Sequence, residues 1–135
     1  MKKTILLILL IFTIINSQAV FAQTKPQSQT EQEIKTMLCH KWKLTHMETQ
    51  GERNSLPPDM GESYMLLKSD GTLIETDEGK DYQGKWAYDH KTMTLKTDDK
   101  DGVEKHKIIK ITDTELIIKS KFDGMAMNMI MKRID

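Results

Sequence analysis

The chain of 135 residues is poor in cysteine and has no excess of charge of either sign. A single cysteine, Cys39, excludes an internal disulfide, so packing and hydrogen bonds must stabilise the fold. The 20 basic residues balance 20 acidic ones, and this balance argues against nucleic acid as a partner. The sequence also contains no HExxH motif, glycine-rich phosphate loop or Gly-x-Ser-x-Gly elbow. We therefore expect neither enzymatic activity nor a cofactor.

The N-terminal segment, in contrast, has the pattern of an export signal. Met1–Lys3 is a positively charged start, an apolar run from Ile5 to Ile15 follows, and Val20 and Ala22 are small enough for a cleavage site. The apolar run is too short to span a bilayer stably. The sequence therefore predicts a signal peptide over residues 1–22 and a periplasmic or secreted protein without stable membrane insertion.

Beyond the signal, the composition predicts a lead-in, a short helix and one domain. Residues 23–30 hold no large aliphatic or aromatic side chain, which is typical of a flexible segment. Thr30 followed three residues later by Glu33 is a capping-box signature, and apolar residues then recur at helical spacing. This spacing predicts a helix over 31–40. We assign residues 31–135 to a single domain.

From residue 41 the hydrophobic period changes to two, as expected for strands that are buried on one face. Turn residues separate eight candidate strands, and Asp-Gly pairs among them suit tight hairpins. The connection over 50–61, which contains Pro57-Pro58, predicts a longer loop. The pattern favours a monomeric up-and-down barrel. The predicted strands are 41–49, 62–68, 72–77, 81–88, 92–98, 103–111, 115–121 and 125–133.

Four short motifs occur in order along these strands. They are His40–Leu44, Leu67–Thr72, Gly84–Trp86 and Ile111–Ile118. Their order over residues 38–133 resembles the small lipocalin-like domains of exported bacterial proteins. The resemblance implies an all-β, eight-stranded antiparallel barrel with a short N-terminal helix, and ligand binding in preference to catalysis. It also implies that Trp42 is structural and packs under a basic residue of the last strand, for which Arg133 is the candidate through a cation–π contact.

Strand alternation places four methionines of the last strand on one face, where flexible thioether side chains suit an adaptable apolar cavity. We therefore expect a small apolar molecule to bind in the barrel interior. Two alternatives remain open: a Cu(I) site on this methionine stripe, since thioethers select Cu(I), and a structural or partner-binding barrel with a packed interior. The candidate ligand-binding residues are Leu67, Trp86, Tyr88, Met93, Met125, Met127, Met129 and Met131.

Two further expectations concern the faces of the strands. Ile109 is expected to point inward with the other large aliphatic side chains. The acidic residues near the turns are interpreted as solvated charges without a role in a site. These acids are Asp77, Glu78, Asp81, Asp98, Asp99 and Asp101.

Overall fold

The structure, a computed structural model, describes residues 29–135, with the side chain of Phe122 excepted. The predicted signal at 1–22 and most of the lead-in at 23–30 lie outside the described residues. No helix within residues 29–135 has the length and apolarity needed to cross a membrane. The elements are α1 (Glu31–Leu38), β1 (Lys41–Thr49), β2 (Glu52–Ser55), β3 (Ser63–Leu67), β4 (Thr72–Asp77), β5 (Lys80–Asp89), β6 (Thr94–Asp99), β7 (Gly102–Ile111), β8 (Glu115–Phe122) and β9 (Met125–Arg133).

Eight of these strands form a closed antiparallel barrel. Strands β3 to β9 pair in sequence order, and β1 completes the circle by pairing with β3 on one side and β9 on the other. Trp42 on β1 lies opposite Met65 of β3 and Arg133 of β9. It therefore sits at the seam, the pairing of β1 with β9 that closes the barrel. The predicted eight-stranded up-and-down barrel with a short N-terminal helix is therefore confirmed.

Strand β2 corrects the expectation of a simple loop over residues 50–61. It pairs with the last four residues of β1 through a tight hairpin in which Gln50 and Gly51 both have positive φ angles, of 52° and 83°. Two consecutive positive φ angles match the twist of a two-residue hairpin. All four residues of β2 are exposed and polar. They show no hydrophobic alternation, and the hydrophobic pattern therefore missed this strand.

Helix α1 covers one end of the barrel. The predicted capping box is present: Glu33 N–H donates to the Thr30 hydroxyl over 3.2 Å, and Thr30 N–H donates to the Glu33 carboxylate over 2.7 Å. Ile34 and Leu38 are fully buried in the barrel core. The helix also accepts a hydrogen bond of 3.0 Å from the Trp42 indole N–H to the Leu38 carbonyl. We call the end covered by α1 the closed end.

Arg133 does not cover Trp42 as expected. Trp42 has no exposed surface, because α1 and the surrounding core already enclose it, and His40 packs edge-on at 6.3 Å between ring centroids. The Arg133 guanidinium instead donates to the Asp135 carboxylate over 3.2 Å. The cation–π contacts found in residues 29–135 are those of lysines on Tyr64 and Tyr82. The expected cation–π pair is thus replaced by burial under the helix.

Ile109 also differs from expectation, because β7 and β8 change register within their ladder. Ile108 pairs with Ile118, but the next paired residue of β7 is Lys110, opposite Ile117. The irregularity turns Ile108 inward, where it is 1% exposed, and leaves Ile109 45% exposed. An extra residue in one strand exchanges its inward and outward faces, which alternation alone does not predict.

The ladder between β7 and β8 is also short. It runs from the pair of Lys107 with Lys119 to the pair of Ile111 with Leu116. Beyond Lys107, the segment of β7 from Gly102 to His106 has no register partner on β8. The two strands therefore separate toward the end of the barrel opposite α1, which we call the open end.

Candidate functional site

The barrel interior contains a cavity of about 510 Å³ that extends toward the open end. This volume lies within the usual range for small-molecule sites, about 300–1,000 Å³. The cavity is bordered by β1, β3, β4, β8 and β9 and by the hairpin that joins β6 to β7. A concave, partly enclosed space of this size is the default candidate for a binding site.

The inner part of the cavity is apolar. Alternation on each strand directs one side chain in two into it, and the bulge at Thr45 keeps Met47 on the inner face of β1 opposite Met129. Thioether side chains contribute heavily, since Met47, Met60 and Met127 border the same space. We call the innermost surface the apolar floor. It consists of Trp42, Leu44, Met65, Ile118, Met129 and Met131.

The outer part of the cavity carries carboxylates. Three of the turn acids, Asp77, Asp99 and Asp101, border the cavity. Asp77 and Asp101 are exposed there, as expected for solvated charges, whereas Asp99 is half-buried. Alternation along β4 and β7 adds two more inward acids, at positions where the hydrophobic pattern gives way to charge. We call this set the acidic mouth. Its members are Glu75, Asp77, Asp99, Asp101 and Glu104.

A close approach between two strands allows Asp99 to reach the mouth. Gly84 on β5 faces β6, and a Cβ atom there would lie 2.4 Å from the carbonyl oxygen of Asp98 and 3.1 Å from the Cα of Asp99. Only a residue without a side chain permits this distance. The backbone of β6 thus occupies the space that a side chain at Gly84, between Tyr82 and Trp86, would fill.

Glu75 has the most perturbed carboxyl in the mouth. Partial burial, the largest cause, and the neighbouring carboxylates of Asp99, Glu104 and Asp101 together raise the pKa of Glu75 to about 7. Asp99 is close enough for its carboxyl to share a proton with Glu75. Among residues 29–135, no lysine, arginine or histidine forms an ion pair with Glu75. The mouth therefore holds negative charge that the protein itself leaves partly uncompensated.

His106 lies between the cavity and the gap that separates β7 from β8. Its Nε2 is 3.3 Å from the Thr97 hydroxyl and its Nδ1 is 3.1 Å from the Ser120 hydroxyl, so the ring links three strands. Burial lowers the pKa of His106, although Glu104 and Asp99 act in the opposite direction. Burial thus favours the neutral imidazole, although its Nε2 lies 3.4 Å from the Glu104 carboxylate.

Comparison with known proteins identifies the family. The profile of the lipocalin-like domain matches residues 38–118, which is more than half of the chain. The chain belongs to the lipocalin-like domain family. A crystal structure of a lipocalin-like protein from Bacteroides uniformis is similar at 13% sequence identity, with a TM-score of 0.46, and the match covers 73% of this chain and 99% of that one. No curated protein matches this lipocalin-like domain. The family is generally a ligand-binding fold without enzymatic activity.

The structure brings three of the eight candidate ligand-binding residues of this lipocalin-like domain into the cavity. Met127, Met129 and Met131 border it, as alternation along β9 predicts. Met125, the fourth member of the stripe, is 63% exposed, because it begins β9 at the rim of the open end. The stripe therefore enters the cavity with three thioethers instead of four.

The other four candidates lie at or near the closed end of this lipocalin-like domain. Leu67 and Tyr88 are buried in the core, and Trp86 is half-buried with its indole N–H donating to the Lys68 carbonyl over 2.8 Å. Met93 is half-buried in the turn before β6, with a positive φ of 52°. None of the four borders the cavity among the residues that the structure describes. Their side chains fill the barrel end that α1 covers.

A second, shallower cleft of about 450 Å³ lies outside the barrel of this lipocalin-like domain, at the gap between β7 and β8. It shares Glu104, His106, Ser120 and Lys121 with the interior cavity. Its outer walls are basic, and the lysines are Lys105, Lys107, Lys119 and Lys121. In the part of the chain that the structure describes, no group of three or more His, Cys, Asp and Glu side chains is arranged to hold a metal ion.

Proposed function

We propose that this lipocalin-like domain is exported and binds a small apolar molecule inside its barrel. The observation that carries the proposal is the apolar floor inside a cavity of about 510 Å³. Six methionines border this cavity: Met47, Met60, Met65, Met127, Met129 and Met131. Unbranched thioether side chains adapt to ligands of different shape. A cavity of this volume argues against the alternative of a fully packed structural barrel.

Binding can be tested with the apolar fluorophore N-phenylnaphthylamine, displaced by n-decanol. We expect saturable binding with one site per protein and full displacement by the alcohol. Met127→Gln preserves length but adds a polar amide to the cavity wall, so affinity should fall by about tenfold. Met125→Gln makes the same change at an exposed position of the same strand and should leave affinity unchanged. Equal affinities of the two variants would contradict binding inside the barrel.

Cu(I) is the second candidate, because three thioethers of β9 enter one cavity together with those of Met47 and Met65. The double variant Met127→Leu with Met129→Leu separates the two readings. Leucine preserves volume and hydrophobicity, so binding of the fluorophore should change little. If Cu(I) is the ligand, the same variant loses sulfur donors and its affinity in competition with a Cu(I) chelator should collapse.

A further inference from the structure

The cavity changes from apolar to acidic along the barrel axis. The apolar floor lies next to the closed end, whereas the acidic mouth is formed where β4 ends and where β6 turns into β7. A purely apolar ligand would leave the half-buried carboxyl groups of Glu75 and Asp99 next to hydrocarbon, which is costly for charged groups. The arrangement instead suits a ligand that has an apolar body and a polar end.

The charge of that polar end follows from the charges around the mouth. Five carboxylates border the cavity, against the two lysines Lys100 and Lys121. The Lys100 ammonium group lies 3.7 Å from the centre of the Tyr82 ring, and it is 4.0 Å from the Asp101 carboxylate. Its charge is thus already engaged at the side of the mouth. The remaining field in the mouth is negative and would attract a cation.

We infer that the ligand is a cationic amphiphile, with an amine or quaternary ammonium head between the carboxylates of Glu75, Asp99 and Glu104 and an apolar body on the floor. This inference rests on the proposed function, because it assigns a ligand class to the same cavity. A molecular cation also fits the described residues better than a metal ion does, since their acids do not converge as a metal-binding group.

Cation binding should be linked to proton release from the mouth. The pKa of Glu75 is about 7 in the protein alone, and a bound cation stabilises its charged form and lowers that pKa. Affinity for the cation therefore weakens as the pH falls below about 7. The groups that face Glu75 are Asp77 on its own strand, Tyr82 on β5, Asp99, Lys100 and Asp101 at the end of β6 and its turn, Glu104 and His106 on β7, and Lys121 on β8.

The experiment compares three probes with the same decyl chain: n-decyltrimethylammonium, n-decanol and n-decyl sulfate. Each displaces N-phenylnaphthylamine from the full domain at about pH 8 and at about pH 6, on either side of the Glu75 pKa. The quaternary head carries a fixed charge, so any pH dependence comes from the protein. We expect the cation to bind about tenfold more tightly than the alcohol at the higher pH, and this preference to shrink severalfold at the lower pH.

Two matched variants locate the effect. Glu75→Gln should abolish most of the preference for the cation while the affinity for n-decanol stays unchanged. Glu78→Gln alters an exposed carboxylate three residues away that does not border the cavity, and it should keep the preference. Circular dichroism would confirm that both variants are folded.

The outcomes separate the inference from the proposed function. Equal affinities for the three probes would overturn the cationic ligand and leave apolar binding standing. Tighter binding of the sulfate would also overturn it and would move the polar head to the lysines of the outer cleft. If neither the fluorophore nor any of the three probes binds, the proposed function fails together with the inference.

Discussion

Replacing Trp42 by alanine tests how the closed end is held together. The indole is fully buried, so Trp42→Ala creates a cavity that should cost about 3–5 kcal/mol of unfolding free energy. It also removes the hydrogen bond to the Leu38 carbonyl. The Leu38 carbonyl still accepts a hydrogen bond from the His40 N–H over 2.7 Å, so losing the bond from Trp42 adds no more than about 1 kcal/mol. The total is a large share of the stability of a domain of this size, about 5–15 kcal/mol.

Urea denaturation followed by far-ultraviolet circular dichroism measures this loss without relying on tryptophan fluorescence. In thermal unfolding followed by the same signal, we expect the melting temperature to fall by about 15 °C or more. Trp86→Ala is the matched control, because that ring is half-buried and should cost only about 1–2 kcal/mol. If the two variants lose the same stability, Trp42 is not the packing centre of the closed end and the account of its burial is wrong.

Three other predictions test the close approach of β5 to β6, the ion pairs of Glu115, and export. Gly84→Ala places a Cβ against the backbone of β6 and should cost about 2–3 kcal/mol in urea unfolding; an unchanged midpoint would refute the close approach. Lys110 and Lys132 lower the pKa of Glu115 to about 2, so stability should fall by about 1–2 kcal/mol as the pH drops from 4.5 toward 2. Glu115→Gln should flatten this dependence, and a parallel decline in the variant would exclude the ion pair as its cause. Mass analysis of protein from the cell envelope should find Gln23 at the N-terminus, and retention of residues 1–22 would contradict export.

The sequence predicted strands well wherever alternation was backed by burial. The predicted bounds of β1, β4 and β9 match the structure. β1 and β9 each have an inward row of large apolar side chains, and β4 has the buried Leu73 between turn residues. Strand β2 escaped prediction because only its backbone pairing with β1 holds it in place. Ile109 was assigned to the wrong face because a register shift depends on the partner strand, and one sequence read alone does not reveal its partner.

The site was predicted less well than the fold. Three methionines of β9 were found by alternation, but Glu75 and Glu104 were not singled out. The same alternation contained a usable signal. Glu75 follows the buried Leu73 by two residues, and Glu104 precedes the buried His106 by two, so both continue an inward row. Carboxylates near turns are usually solvated, and that expectation outweighed the period of two.

Closure of the barrel by β1 and β9 has a consequence for how the chain folds. Each hairpin from β3 to β9 joins strands that are adjacent in sequence, so these contacts require only short loops to close. The pair of Trp42 with Arg133, in contrast, brings together residues from opposite ends of the domain. The chain loses conformational entropy when these distant residues are brought together, and this loss comes before the seam contributes any stability. Contacts of this kind slow folding. The seam should therefore form last, and substitutions within it should act on the rate of unfolding more than on the rate of folding.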